Sequence, residues 1–282
     1  MTTVLAAARL TIRLACCLVV ATALGCTEPN ALATGAVTLT PPEQFKMWWA
    51  LTESCSGLTG RFEDVTWYVV PGAASFDAGG VLAVGAYDPT ARRITLASLS
   101  VTDPHVVRHE MLHALLGKTG GHPAQYFQTR CGGIVSCPDE ECPPPAGPPP
   151  GAPVVPIRSL DVSTTVMLDT LDDGTIGRWA AITVSATSHS VVPVLVSLRA
   201  DAFGTYYGWS YALTSGGVQH PPVQFLADSI AEGYAAGETK RYTFDVNLGA
   251  GDRRIVPGIY QFVGRFNTAA SAPVTVVGPP RP

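Results

Sequence analysis

The stretch Asp103-Pro104-His105-Val106-Val107-Arg108-His109-Glu110-Met111-Leu112-His113 contains the two most informative histidines of this chain. Residues four apart on a helix lie on the same side, one turn along, so His109 and His113 are predicted to reach one metal ion. Glu110 lies about 100° further round the helix. From there its carboxylate can reach a water bound to the metal rather than the metal itself, which is the position a general base needs.

The residues around this pattern predict a buried helix. Asp103 suits the N-cap, Pro104 suits the first helical position, and Gly117 suits the end. The face opposite the histidines is apolar: it contains Val107, Met111, Ala114 and Leu115. Two core histidines satisfied by backbone carbonyls are the alternative interpretation. A metal is favoured because histidines and a carboxylate are costly to bury without a partner.

Residues 42–131, with this H-E-x-x-H pattern, resemble the zincin metallopeptidases, especially small bacterial exported ones. The resemblance implies a mixed sheet before an active-site helix, and a peptide or protein substrate. It also implies Zn²⁺ as cofactor, His109 and His113 as zinc ligands, and Glu110 as the catalytic base. In that family an edge strand pairs with extended substrate, and Arg92–Ala97 is placed where that strand is expected.

The third zinc ligand departs from the best-known subfamilies. Leu116 and Thr119 lie three and six places after His113, where metzincins have Gly and His, and no second helix is predicted that would supply a Glu. We therefore expect His122 to be the third ligand, since Gly117, Gly120 and Gly121 can turn the chain back. The alternatives are His105, Asp139, Glu140 and Glu141. Three protein ligands leave a position open for water.

An acyl-transfer site also needs a group that stabilises the oxyanion. Tyr126, four residues after His122, is the candidate, and Tyr87 is the alternative. A tyrosine in either position is more often an ordinary packing aromatic.

Before the histidines, a helix is predicted over Pro41–Ser54 and a strand over Val65–Val70. Two further strands, Val81–Tyr87 and Arg92–Ala97, are separated by a turn and are expected to pair as a hairpin.

The first 25 residues are typical of an export signal, with Arg9 and Arg13 before an apolar run that is too short to span a membrane comfortably. Ala23-Leu24-Gly25-Cys26 resembles a bacterial lipobox, which implies a lipid anchor on Cys26 in the cell envelope, at the outer membrane or in the periplasm. Cleavage by ordinary signal peptidase is the alternative. Residues 27–40 are predicted to be a tether.

Four cysteines remain after the signal and Cys26: Cys55, Cys131, Cys137 and Cys142. An even set in an exported chain favours disulfides over a structural zinc site, and three pairings are possible. Cys137 and Cys142 are near enough to close a small loop, which would leave Cys55 to bridge Cys131.

Residues 143–156 form a proline-rich linker between predicted domains at 41–142 and 157–278. The short alternating runs of the second domain resemble bacterial Ig-like sandwiches. The predicted fold class is thus an α+β zincin-like domain followed by an all-β Ig-like sandwich, with two separable bodies.

The formal net charge is −4 and there is no basic run, which argues against a nucleic-acid partner. The predicted function is a zinc-dependent peptidase at the bacterial cell envelope. The alternative is a catalytically degenerate zinc-binding scaffold or binding lipoprotein, and the intact Glu110 favours the enzyme.

Overall fold

The computed structural model describes residues 32–118, 121–137, 142, 148–200, 205, 207–227, 230–249 and 253–280. The predicted signal peptide and Cys26 lie outside this part of the chain. So do three of the alternative metal ligands, Asp139, Glu140 and Glu141.

The described chain has two α-helices, α1 (Gln44–Ser56) and α2 (Pro104–Leu116), and a π-helix at Gln125–Arg130. Short 3₁₀ turns lie at Phe62–Asp64, Ser98–Ser100 and Ile157–Ser159. The strands are β1 (Val37–Thr38), β2 (Thr66–Val70), β3 (Phe76–Asp77), β4 (Leu82–Ala83), β5 (Gly85–Asp88), β6 (Arg93–Ala97), β7 (Val154–Pro156), β8 (Leu160–Thr170), β9 (Ile176–Ser188), β10 (Val194–Ser197), β11 (Tyr207–Ser215), β12 (Val218–Gln219), β13 (Val223–Leu226), β14 (Ala231–Tyr234), β15 (Thr239–Asn247), β16 (Gly258–Phe266), β17 (Ala269–Ala270) and β18 (Val274–Gly278).

The sheet nearest α2 has the order β1-β2-β6-β5. Strands β2 and β6 are parallel, and the other two pairs are antiparallel. The predicted hairpin is confirmed from Gly85 onward, where Ala86 pairs with Thr95 and Tyr87 with Ile94, but Leu82–Ala83 of the predicted first strand pairs with β3 instead. Strand β6 is nevertheless internal, so the edge strand is β5 and not Arg92–Ala97 as predicted. The spacing within the hairpin could not reveal this, because the order depends on the distant strand β2.

Three sheets follow in the second half of the described chain: β14-β10-β7, β15-β9-β8, and a six-stranded sheet around β11 and β16. Strand β16 alternates as a half-buried strand should, with Tyr260, Phe262 and Phe266 buried and Ile259 exposed. Its aromatic face packs with Ala180, Ile182 and Val184 of β9, among others.

The predicted fold class, an α+β zincin-like domain followed by an Ig-like sandwich, is wrong. The described residues are mostly β, with 43% in strands and 19% in helices, and the strands divide among several sheets. In the described part the second half forms three sheets, where an Ig-like sandwich has two. Caps and periodicity identify one buried helix, but they do not specify which distant strands share a sheet.

Two segments predicted to be loose contribute strands. Val37–Thr38, in the predicted tether, pairs with β2. Val154–Pro156, at the end of the predicted linker, runs parallel to β10, and Val155 packs on a buried cluster. Hydrogen bonding to neighbouring strands orders both segments, although their composition is that of connectors.

The two halves of the described chain share a core. Helix α1 packs against β8 and β9, and Met167, Trp179 and Ala181 of those strands join the cluster formed by the helices and the first sheet. Ion pairs join Glu43 to Arg253 and Lys46 to Asp172 across the same boundary. These contacts argue against two separable bodies, while the proposed domain boundaries remain predictions.

The cysteines pair as the small-loop arrangement predicts, Cys55 with Cys131 and Cys137 with Cys142. Both disulfides are compatible with export into an oxidising compartment. Among the described residues, no helix combines the length and apolar composition that crossing a membrane requires.

Candidate metal centre

Helix α2 begins and ends as its sequence predicts. The Asp103 side chain accepts hydrogen bonds from the backbone N–H groups of His105 and Val106, and Gly117 ends the helix at a φ of 66°. Val107, Met111 and Leu112 are fully buried. The helix is therefore held by caps at both ends and by apolar packing along its length, which gives the histidines a rigid support.

Three histidine nitrogens form a nearly equilateral triangle. The Nε2 atoms of His109 and His113 are 3.2 Å apart, and each is 3.1 Å from Nε2 of His122. The centre of such a triangle is about 1.8 Å from each nitrogen, and a point about 1 Å above its plane lies at the 2.0–2.1 Å of a zinc–imidazole bond. His122 reaches this position through Gly121, whose φ is 68°.

The ring of Phe127 forms one wall of the triangle. Its centroid lies 5.0 Å from those of His109 and His113 and 4.7 Å from that of His122. Phe127 belongs to the π-helix that follows His122, an element that was not predicted. An apolar wall limits the directions that the imidazoles can take and keeps water from one side of the site.

The tautomer of His109 follows from its neighbour. Nδ1 of His109 lies 2.6 Å from the backbone carbonyl oxygen of Ser136. Because a carbonyl can only accept, Nδ1 carries the proton and Nε2 presents a lone pair toward the triangle. An outer hydrogen bond of this kind is the usual support of a metal-binding histidine.

The charge state of His113 also suits a ligand. Burial, together with the neighbouring imidazoles of His109 and His122, lowers the pKa of His113 to about 3. The ring is therefore neutral at pH 7 and offers a lone pair to a cation. Three imidazoles within bonding reach of one point are a donor set that fits Zn²⁺.

Glu110 is buried, and a glycine makes room for it. A Cβ atom built on Gly85 would lie 2.7 Å from Oε1 and 2.8 Å from Cγ of Glu110. Any other residue at this position of β5 would therefore displace the carboxylate. Gly85 was not among the predicted site residues, although a glycine inside a strand is a known sign of close approach by another group.

The structure brings His109, His113 and His122 together, with Glu110 buried on the same helix, but gives no support to the role predicted for Tyr126. Tyr126 packs against the core cluster of the helices and the first sheet, and the guanidinium of Arg130 lies 5.4 Å from the centroid of its ring. The oxyanion role of Tyr126 thus remains an untested prediction, as does that of the buried Tyr87.

His105 faces away from the triangle into an aromatic cleft. Its ring packs 5.2 Å from that of Tyr242, and burial lowers its pKa to about 4. The cleft has a volume of about 510 Å³ and lies between the two halves, where Trp48, Trp179 and Phe225 are among its lining residues. His105 is therefore not a fourth member of the cluster that can hold a metal.

No family model matches the chain, and no curated protein matches it. Among solved structures, it is similar to the alkylpurine DNA glycosylase AlkC of Pseudomonas fluorescens bound to DNA, at 11% identity and a TM-score of 0.27, over 42% of this chain and 30% of that one. It is also similar to the putative ApaA protein of Bordetella pertussis, at 20% identity and a TM-score of 0.25, over 45% of this chain and 98% of that one. A β-glucosidase of Listeria innocua is similar at 15% identity and a TM-score of 0.23, over 42% of this chain and 16% of that one. Similarities this low identify neither the fold nor an activity.

Proposed function

We propose that this protein is a zinc-dependent peptidase of the bacterial cell envelope. The observation that carries the proposal is the triangle of Nε2 atoms of His109, His113 and His122 with the buried Glu110 on the same helix. The three imidazoles hold the metal. Zinc bound by three imidazoles supplies Lewis acidity, which activates water and polarises a carbonyl.

The role of Glu110 is to accept a proton from the attacking water and later to pass it to the departing amine. It is buried on α2, one residue after His109, and is not one of the three groups that can hold the metal. The space at Gly85 lets this side chain approach β5 closely. Phe127 packs against all three imidazole rings and shields the side of the site that it covers.

A peptide substrate is favoured by the strand that borders Glu110. Strand β5 forms one edge of its sheet, and an edge strand can pair with an extended chain through backbone hydrogen bonds. A peptide bound along β5 would pass the carboxylate of Glu110 at Gly85. The alternative function is a zinc-binding scaffold without activity, in which the metal only stabilises the protein.

The substitution Glu110→Gln tests the catalytic role. The variant should keep about one zinc per chain, because Glu110 is not a ligand, yet lose hydrolysis of an unstructured protein by several orders of magnitude. Elemental analysis and proteolysis of a quenched fluorescent substrate library measure the two properties. The double variant His109→Ala, His113→Ala is the matched control and should lose both.

Cleavage by Glu110→Gln at the wild-type rate and in the presence of chelator would rule out this mechanism. If the wild-type protein binds zinc but cleaves no peptide in a broad library, the scaffold function is favoured instead.

We also propose a lipid anchor on Cys26 after removal of residues 1–25. The proposal is supported by the apolar run before Gly25-Cys26 and by the pairing of the four later cysteines with one another. Metabolic labelling with a fatty acid should mark the wild type and leave Cys26→Ser unlabelled. An unlabelled wild type would contradict the anchor and leave export by ordinary cleavage.

A further inference from the structure

The carbonyl that orients His109 belongs to residues 131–136, named here the clamp segment. Ser136 accepts the hydrogen bond from Nδ1 of His109 and also donates its backbone N–H to the carbonyl of His105 at 3.0 Å. The disulfide between Cys131 and Cys55 ties the other end of the segment to α1. The position of the clamp segment therefore decides whether His109 presents Nε2 to the metal.

A fully buried arginine holds the middle of the clamp segment. Arg108, the residue before His109, is 0% exposed, and its Nε donates to the carbonyl of Ile134 at 2.7 Å. One of its Nη atoms donates to Asp245 at 2.9 Å. The other carboxylate oxygen of Asp245 accepts from the indole N–H of Trp48 at 2.7 Å. A charged donor that is fixed on both sides holds a carbonyl more firmly than a neutral one.

Strand β15, which contains Asp245, also contacts the clamp segment at a second point. The backbone N–H of Thr243 donates to the carbonyl of Gly133 at 3.1 Å. Gly133 has a φ of 76°, and a Cβ there would lie 1.6 Å from the carbonyl oxygen of Arg241. The backbones of β15 and the clamp segment thus touch at a site where only glycine fits.

We propose that Asp245 is a positioning residue for the zinc site. It holds Arg108, Arg108 holds the carbonyl of Ile134, and the clamp segment so placed sets the ring direction and tautomer of His109. The second half of the chain is therefore part of the metal site, although Asp245 touches neither the metal nor a substrate. This inference rests on the proposed zinc-dependent function.

A structural role of the Arg108–Asp245 ion pair and a positioning role lead to different effects when the pair is removed. Loss of a purely structural pair lowers stability and leaves the affinity of the folded protein for zinc unchanged. Loss of a positioning pair changes zinc affinity as well, and outer partners of metal ligands typically contribute 10- to 100-fold.

The first experiment compares Asp245→Asn with a control that is equally buried. Thr183→Val serves as the control, because Thr183 is buried on the neighbouring strand β9, where its hydroxyl hydrogen-bonds that of Thr243 at 2.9 Å. Zinc affinity is measured by competition with a chromophoric chelator, and stability by thermal unfolding of the metal-free protein. We expect Asp245→Asn to weaken zinc binding 10- to 100-fold and Thr183→Val to leave it within about threefold. Equal zinc affinity in Asp245→Asn and wild type would overturn the proposal.

A second variant covers the case in which Asp245→Asn does not fold. The triple substitution Trp48→Phe, Arg108→Met, Asp245→Leu replaces all three hydrogen-bonded side chains with apolar ones. Such a replacement of a buried ion pair often preserves stability. It nevertheless removes the hydrogen bond to Ile134. A folded triple variant with zinc affinity at least tenfold weaker supports the positioning role, and wild-type affinity contradicts it.

A third measurement separates this proposal from the proposed function. Long-range ¹H–¹⁵N NMR of the metal-free protein reports which nitrogen of His109 carries the proton. We expect one tautomer in the wild type and in Thr183→Val, and a mixture in Asp245→Asn or the triple variant. If the wild type binds no zinc, the zinc-dependent function fails, while the tautomer still tests the link from Asp245. A single tautomer in every variant would contradict that link.

Discussion

At the scale of single residues, Gly85 sets the space available to the proposed base. Gly85→Ala places a methyl group 2.7 Å from Oε1 of Glu110, so the carboxylate must move. Because a displacement of about 1 Å can cost about 100-fold in rate, we expect kcat to fall by roughly that factor while zinc content stays unchanged. Steady-state peptide hydrolysis and elemental analysis measure the two effects.

Gly208→Ala is the control for this substitution, since the nearest atoms to a Cβ at that strand position are 3.8 Å away. It should leave activity unchanged. Full activity in Gly85→Ala would show that Glu110 does not need its observed position.

A second residue, Asp169, should make stability depend on pH. Burial, with the nearby charge of Glu43, raises the pKa of Asp169 to about 6. The folded protein thus binds this proton more tightly than the unfolded chain, whose Asp pKa is about 3.9. Its contribution to stability is full below pH 4 and is lost as the pH rises through about 6. Asp169→Asn should remove this dependence and raise stability at pH 7, as measured by urea unfolding.

Asp172→Asn provides a control of opposite sign at the same boundary. Its hydrogen bond with Lys46 lowers the pKa of Asp172, so this carboxylate contributes stability above its unfolded pKa that is lost in acid. The side chain is 79% exposed, so the effect should be small. Unfolding curves of Asp169→Asn with the same pH dependence as wild type would contradict the assignment.

At the scale of elements, the two disulfides should differ in what they stabilise. The Cys55–Cys131 bridge spans 76 residues and joins α1 to the clamp segment, whereas Cys137–Cys142 spans 5. A disulfide that closes a longer loop restricts the unfolded chain more. Replacing Cys55 and Cys131 by Ser should therefore lower the free energy of unfolding by about 2–5 kcal/mol, and replacing the second pair should lower it by less. Guanidinium unfolding measures both changes.

The same two variants should also differ in zinc affinity. Release of Cys131 frees one end of the segment that orients His109. Replacing Cys55 and Cys131 by Ser should therefore weaken zinc binding as well as lower stability. Identical unfolding free energies in the two double variants would contradict the loop-entropy argument.

At the scale of the whole molecule, the zinc site should not survive without the second half. A chain ending at Ala152 leaves the buried Arg108 without Asp245, and an uncompensated buried charge costs about 3–5 kcal/mol. It also exposes the face of α1 that packs on β8 and β9. We expect this fragment to lack cooperative thermal unfolding, as followed by circular dichroism, and to bind zinc weakly.

The full chain cut near Ala152 after folding is the control. Its halves should remain associated and keep zinc, because the shared core is already formed. If the fragment unfolded cooperatively at the same midpoint temperature as the full chain, the first half would fold independently of the second.

The sequence by itself determined helix α2, the β5–β6 hairpin and the three histidines of the candidate site. These features depend on short-range rules: an Asp cap with a following proline, a glycine stop, two strands joined by a turn, and the spacing of His109, Glu110 and His113. His122 could also be proposed, since nearby glycines let the chain return to the helix.

Only the tertiary structure decided how the strands divide among sheets, which strand lies at the edge next to Glu110, and how the second half reaches the metal site. Each depends on residues far apart in the chain: β2 pairs with β6 and makes β5 the edge, and Asp245 meets Arg108 across 137 positions. Local spacing carries no information on such pairings, because they form where buried surfaces and buried charges find partners across the whole chain.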